Sequence, residues 1–352
     1  MILRLYVLSD LVALCLAASI TACTIPSLSE PWPHLHSETP SDTCSGPAEI
    51  YTMLPTPKKG YGLFATRRIA RGTTVILEAP LVVIQPPPLT LGQGYEISKM
   101  LDSLRAEFAK LSPPNQKRYL ALHAHVFPSE EGKERLMPIL RSNAFNTGTG
   151  LGLFPIVARI NHSCRPNAAY FWSERLGRRV VYAGRDIEEG EEISISYIPL
   201  LKTTKEREQR LAQYGFTCEC EACEASRGGD SRSDDARAEM QVMLDQLESE
   251  VLVPPGEGLM AEKKEEGLIK NSLRLVDMVE EEVLVDYYAQ VYKLAATTHG
   301  RSRRWEEGAG WALRSLEIRE MADEHSAEAM EMRQMAPRFI LESKKYMGEG
   351  LC

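Results

Sequence analysis

The sequence predicts an α+β protein: a β-rich core with a helical insertion, then a cysteine-bearing segment and an all-α C-terminal domain. Three observations predict it. Short β-branched and aromatic runs bounded by Gly and Pro recur within residues 74–84 and 168–198. Between them, residues 95–125 switch to apolar residues spaced three and four apart. After Arg227-Gly228-Gly229-Asp230 the same helical spacing takes over the rest of the chain.

Taken in order, the chain starts with Arg4 and an apolar run from Leu11 to Ile20, followed by the small residues Thr21 and Ala22. That is the layout of a secretory signal peptide, and the run is too short to span a bilayer. Residues 24–47 carry Pro26, Pro31, Pro33, Pro40 and Pro47 among Ser and Thr, as a linker does. Thr74-Val75-Ile76-Leu77 and Leu81-Val82-Val83-Ile84 are strand-like runs that stop at Pro86-Pro87-Pro88. Ile97, Leu101, Leu104, Phe108 and Leu111 form a helical face, expected to break at Pro113-Pro114 before a second helix holding Tyr119, Leu120 and Leu122. Ala169-Tyr170-Phe171-Trp172 and Val180-Val181-Tyr182-Ala183 flank Leu176-Gly177 as a hairpin. Ile193, Ile195 and Tyr197 alternate with Ser194 and Ser196 as a half-buried strand. Met240, Met243, Leu244 and Leu247 repeat at helical spacing, as do Leu284, Tyr287, Tyr288 and Val291.

The organisation expected is therefore a leader-like segment over 1–23, a linker over 24–47, and a β-rich domain over 48–200 with a helical insertion over 85–145. A cysteine segment over 201–224, a linker or helix over 225–260, and a helical C-terminal domain over 261–352 follow. No segment after the leader reaches the ~18 consecutive apolar residues of a transmembrane helix.

At 352 residues, 43% apolar and 26% charged, this is ordinary globular material. The net charge of −8 is poorly suited to holding phosphate backbones, so no direct nucleic-acid binding is expected. It suits a basic peptide better. Between Glu239 and Glu282 twelve acids face four bases, which reads first as a solvated helix face.

Four of the eight cysteines fall in two places. Cys218, Cys220 and Cys223 lie within six residues, a spacing that suits metal ligation better than a disulfide framework. A tetrahedral structural zinc needs a fourth ligand, and the local sequence offers none. Cys164 is the best candidate, in the polar, turn-rich run Asn161-His162-Ser163-Cys164-Arg165-Pro166-Asn167. The alternative is a set of unrelated buried thiols.

Four stretches in order resemble the signatures of SET-domain protein lysine methyltransferases: Lys59-Gly60-Tyr61-Gly62-Leu63-Phe64-Ala65, then 161–167, then Gly190-Glu191-Glu192-Ile193-Ser194-Ile195-Ser196-Tyr197, then Phe216 with the three cysteines. The layout is similar to fungal SET proteins and to the SET-and-MYND group, whose C-terminal domain is also helical. The insertion holds His123 and His125 but no cysteine, so the second zinc module of that group cannot be built here. The resemblance implies a SET fold, a post-SET zinc segment, and methyl transfer from S-adenosylmethionine to a lysine of a histone or another protein. It implies that Lys59, Gly60, Tyr61 and Gly62 lie against the methyl donor, the glycines allowing close backbone approach. Asn161, His162 and Asn143 would contact the donor, and Phe216 would stack on its adenine. Tyr197 would be the active-site tyrosine, and Cys164 would join Cys218, Cys220 and Cys223 at zinc. The donor is made in the cytosol, so the chemistry favours nucleus or cytoplasm, whereas the first 23 residues imply the secretory pathway. A SET-fold binding or scaffold protein without turnover is the other reading.

Overall fold

The computed structural model describes residues 50–57, 59–88 and 95–349; the leader-like segment and the linker lie outside these described residues. Among the described residues ten short strands form three small sheets rather than one large one. In the first, β1 (Tyr51–Thr56) pairs antiparallel with β2 (Gly60–Ala65). The far edge of β2 takes β10 (Glu192–Ile195), and β10 takes the two-residue β7 (Asn161–His162) in parallel. The second sheet has β3 (Thr74–Glu78), β9 (Arg178–Ala183) and β8 (Ala168–Ser173) in that spatial order. The third sets β6 (Gly150–Leu153) between β4 (Val82–Ile84) and β5 (Ala144–Thr147). The two large antiparallel runs anticipated from β-branched spacing, β3 and the β8–β9 hairpin, are present.

Alternation places Leu63, Ile193 and Ile195 in one core with Val75, Ile76, Phe154, Ile160 and Val181. The insertion builds a second core. Its helices α1 (Ile97–Ala109), α2 (Pro113–Leu120) and α3 (Leu136–Asn143) bury Met100, Leu104, Tyr119, Ile139 and Leu140 against β4 and β6. The helical face breaks ahead of Pro113-Pro114 as expected, α1 ending at Ala109, and the two prolines open α2, because Pro lacks only an N–H that the first turn leaves unpaired anyway. One detail differs. Ile97, expected on the buried face, is exposed, because Met100 and Leu104 supply the buried stripe of α1.

Past β10 the chain forms α4 (Thr204–Leu211), whose Thr203 and Glu206 make a reciprocal capping box, and α5 (Glu221–Arg227). Five long helices follow: α6 (Arg232–Val251), α7 (Leu259–Glu281), α8 (Tyr288–Arg301), α9 (Trp305–Asp323) and α10 (Ala327–Glu349). Leu284 is buried as its spacing suggested, but it and Tyr287 sit in the connection before α8 rather than on a helix. Among the described residues no helix is long and apolar enough to cross a membrane.

Candidate active site and thiolate cluster

The parallel pairing of β7 with β10 places Asn161 opposite Ser194 and His162 opposite Ile195, bringing the 161–167 loop against the end of β10. Asn167, fully enclosed, fixes the loop's far end. Its Oδ1 accepts from the Ser194 N–H at 2.8 Å, and its Nδ2 donates to the Glu192 carbonyl and to Glu191 Oε1, both at 2.9 Å. Glu191 also accepts from Arg185 at 2.6 Å; burial would raise this carboxyl, but Arg185 and Asn167 outweigh burial and hold it below the ordinary range.

At the near end, Asn161 Nδ2 donates to the Tyr61 carbonyl at 3.1 Å and to Glu192 Oε1 at 2.7 Å, while Lys59 Nζ lies 3.4 Å from Glu192 Oε2. Glu192 thus gathers Lys59 and Asn161 about the β2 turn. Strand alternation puts its side chain on the face opposite the buried Ile193 and Ile195. Gly62 has a steric role in this cluster. A Cβ there would lie 2.6 Å from Glu192 Oε1 and 3.0 Å from Asn161 Nδ2, so glycine makes room for that cluster and Gly62 does not line the cavity described next.

A cavity of about 300 Å³ opens between the β2 turn, β7, the insertion and the segment after α4. Of the residues expected to contact a donor, Lys59, Gly60, Tyr61, Asn143, Asn161, His162, Tyr197 and Phe216 line it. Asn143 commits both amide hydrogens to backbone, donating to the His123 and Ile139 carbonyls at 2.7 Å each. Residues the sequence reading missed also form its wall, among them His123, Arg159 and Tyr214. Arg159 stacks 5.6 Å over the Tyr61 ring and donates to the Ala121 carbonyl. The turn between Tyr214 and Phe216 needs Gly215, at φ +79°, since a Cβ would meet His125 Nδ1 at 2.1 Å.

Tyr197 lies two residues beyond the end of β10, not within a strand as alternation suggested. It is held at both ends: its N–H donates to His162 Nδ1 at 3.1 Å, and its hydroxyl donates to the Ile160 carbonyl at 2.6 Å. Burial pushes this hydroxyl above the ordinary phenol range, so it stays protonated. Tyr214 and Phe216 pack around it with centroids 5.1 and 6.3 Å away, the latter edge-on. On the other side of Tyr197 lies a second cavity of about 180 Å³, walled by Phe145, Tyr170, Tyr214 and Arg179. The two cavities share Tyr197, Tyr214, Ser142, Asn143 and Ala158. Tyr197 is therefore part of a common wall.

The three closely spaced cysteines and Cys164, the candidate fourth ligand, converge. The sulfurs of Cys164, Cys218, Cys220 and Cys223 all lie within 4.8 Å of one another, with Cys164 and Cys223 at 3.6 Å. A tetrahedron of Zn–S bonds of about 2.3 Å has edges of about 3.8 Å, so this donor set fits zinc in size and in chemistry. At such separations the sulfurs compete for charge: Cys218 and Cys220 push the Cys164 thiol up, while Cys164 holds Cys220 low. A bound cation relieves that conflict. The surroundings supply positive and hydrogen-bonding groups. His162 has Nδ1 accepting from Tyr197, so the opposite nitrogen carries the proton and donates to Cys164 Sγ at 3.3 Å. Arg207, completely buried, points Nη2 at Cys223 Sγ at 3.8 Å. Arg237, equally buried, donates to the Cys164 carbonyl at 2.9 Å and pairs with Glu282 at 3.0 Å.

Residues 60–198 match the SET domain model. Histone-lysine N-methyltransferase set5 of Schizosaccharomyces pombe is 34% identical over 177 residues, which cover 50% of this chain and 50% of that protein. Histone-lysine N-methyltransferase SMYD3 of Homo sapiens is 43% identical over 84 residues, covering 23% of this chain and 19% of that protein. N-lysine methyltransferase SMYD2 of Homo sapiens is 33% identical over 133 residues, covering 36% and 29%. The chain thus spans about half the length of the first of these relatives and less of the other two.

Proposed function

We propose that this chain, whose residues 60–198 form a SET domain, transfers a methyl group from S-adenosylmethionine to the side-chain amine of a lysine in a protein. The observation that carries the reading is the pair of cavities meeting at Tyr197. A methyl transfer between two large molecules needs two separate entrances and one shared point.

The larger cavity suits the donor. Its size falls at the lower end of small-molecule sites. Phe216 offers a flat apolar face to a nucleobase, and Asn161, His162 and Lys59 supply polar groups beside it. When bound, S-adenosylmethionine supplies a methyl group on a sulfonium sulfur. The protein's own work is alignment and exclusion of water, which in favourable cases lowers a barrier by about 7–11 kcal/mol. The smaller, aromatic cavity suits the unbranched stem of lysine. The Tyr197 hydroxyl, its proton engaged by the Ile160 carbonyl, turns its oxygen lone pairs toward the meeting point and orients the amine. No His or carboxylate lines the smaller cavity, so a dedicated general base is not part of the proposal.

Cys164, Cys218, Cys220 and Cys223 would hold a structural zinc, with His162 and Arg207 as its hydrogen-bonding shell. The substrate is a lysine-containing protein, a histone being the first to try given the names of the relatives. Cytosol or nucleus is the compartment proposed, because the donor is made in the cytosol. The decisive experiment is a labelled-methyl transfer assay on a lysine peptide array, with mass spectrometry of the modified peptides. Transfer to lysine is expected. A pure, folded chain that binds S-adenosylmethionine but labels no lysine peptide or histone would favour the scaffold reading instead.

A further inference from the structure

The wall of the smaller cavity contains a charge that a pocket for a lysine cation would not be expected to carry. Arg179, on β9, is 4% exposed. Its guanidinium lies within 5.2–5.8 Å of the ring centres of Phe145, Phe154, Tyr170 and Trp172. One Nη2–H donates to the Asn146 carbonyl, and Nε is buried without a hydrogen-bond partner. Among the described residues it makes no ion pair. Its cross-strand neighbour Glu78 on β3 turns instead to the Ile156 and Val157 N–H groups at 2.9–3.0 Å, and burial raises that carboxyl. The remaining titratable groups near it are Tyr170 on β8, pushed up to about 12 by burial, and Tyr197 and Tyr214 across the cavity, both raised by burial and so uncharged. Beyond Tyr170, in the connection between α7 and α8, stands Asp286, which among the described residues makes no ion pair and whose carboxyl burial pushes up to about 7. Burial lowers Arg179 itself only to about 10, so the cation is permanent at neutral pH.

We infer that Arg179 is an electrostatic gate of the acceptor cavity: its uncompensated positive charge excludes the substrate's lysine as an ammonium ion and admits it as the neutral amine. The inference rests on the methyltransferase reading above and supplies what that reading lacked, a means of deprotonation without a base. Only the free amine has the lone pair that forms the nitrogen–carbon bond. As that bond forms, the carbon–sulfur bond breaks with its electron pair left on sulfur, and the product lysine carries the positive charge. An aromatic box alone would stabilise the ammonium form, because ring faces attract cations. Here the guanidinium already occupies those faces, and a second cation meets repulsion rather than attraction.

The test uses the lysine peptide identified by the array and the full chain. With donor and peptide saturating, kcat for wild type is expected to rise with pH along an acid limb set by the bound amine. In Arg179→Met that limb is expected to move up by about 1–2 pH units, the size of a like charge at close range in a partly buried site. Arg179→Lys, which keeps the charge, should retain the wild-type profile. An unmoved limb in a folded R179M, or a limb moved equally in R179K, overturns the gate. Should R179M fail to fold, wild type decides alone. Affinity for the lysine peptide should climb toward tenfold per pH unit between pH 7 and 9, while the same peptide with norleucine stays flat. Parallel pH dependences for the two peptides overturn the gate. A wild type that labels no lysine at all would overturn the parent reading, a result distinct from any of these.

Discussion

Tyr197 is fixed through two bonds that belong to different parts of the chain, the His162 imidazole and the Ile160 carbonyl. Removing its hydroxyl leaves the ring packed against Tyr214 and Phe216, so the fold should survive the change. Tyr197→Phe is expected to lower kcat for methyl transfer by about 10²- to 10³-fold, the scale of losing one positioned polar group at a reacting centre. Donor affinity, measured by calorimetry, should change little. Transfer at wild-type rate by the variant would remove Tyr197 from the reaction. At this scale the sequence was informative where a residue type has few other uses. Three cysteines within six residues, and Asn161-His162 before a fourth, are hard to explain by packing alone. It was less informative where chemistry depends on direction. Arg179 sits beside another residue of the same charge, Arg178, and only the strand register tells which of the two is buried, while Glu191 and Glu192 are both engaged, with different partners. Gly62 leaves room for Glu192 and Asn161, and a glycine's presence in the sequence does not say which side chain needs the space.

Elements are joined here by a buried ionic tether. Arg237 of α6 donates to the Leu200 and Cys164 carbonyls, at 3.0 and 2.9 Å, and pairs with Glu282, which follows α7 and also accepts from Arg165 of the 161–167 loop at 2.9 Å. Three separate segments therefore share one carboxylate. Burial would raise Glu282, but hydrogen bonding from Ser233 and the charges of Arg237 and Arg165 prevail and hold it below the ordinary carboxylate value. The unfolded chain consequently binds a proton at a higher pH than the folded one. The tether's contribution is complete above about pH 4.5 and is lost as pH falls through the lower folded value. Glu282→Gln leaves Arg237 buried and unpaired, and is expected to cost about 3–5 kcal/mol at pH 7. In urea unfolding at pH 7 and again near pH 3.5, the gap between wild type and variant should narrow on acidification. An equal gap at both values would show that the carboxylate's charge contributes nothing. No local spacing foretold this tether, because its members lie 37 to 117 positions apart. By contrast α4, with its Thr203–Glu206 box, and α6, with its regular apolar spacing, could be read directly, as could the β8–β9 hairpin from its Leu176-Gly177 turn.

For the molecule as a whole, the thiolate cluster belongs to the same continuous core as the helices behind it. Cys164, Cys218 and Cys223 are buried with Leu200 and Leu211, and that core runs on through Met240, Leu244, Leu275, Val276 and Val291 of α6, α7 and α8. Toward the front, Cys218 lies two residues from Phe216, and His162 ties Cys164 to Tyr197. The thiolate cluster therefore stands between the larger cavity and the helical region, and the proposed zinc would tie the two together. Elemental analysis of the pure protein is expected to give one zinc per chain. Stripping it with a chelator leaves four sulfurs crowded within 4.8 Å without a cation, beside two buried arginines whose partners then shift. Because a structural zinc's binding energy is folding energy, the midpoint of thermal unfolding should fall and S-adenosylmethionine binding should disappear over the same range of chelator. Cys220→Ser should reproduce both losses without chelator. It removes one sulfur from the half-buried edge of the cluster, where the substitution itself disturbs packing least. Were the metal-free chain to bind the donor with undiminished affinity, the cavity would have to be held by the Glu192 cluster and the insertion alone, and the coupling of metal, pocket and helices would be wrong.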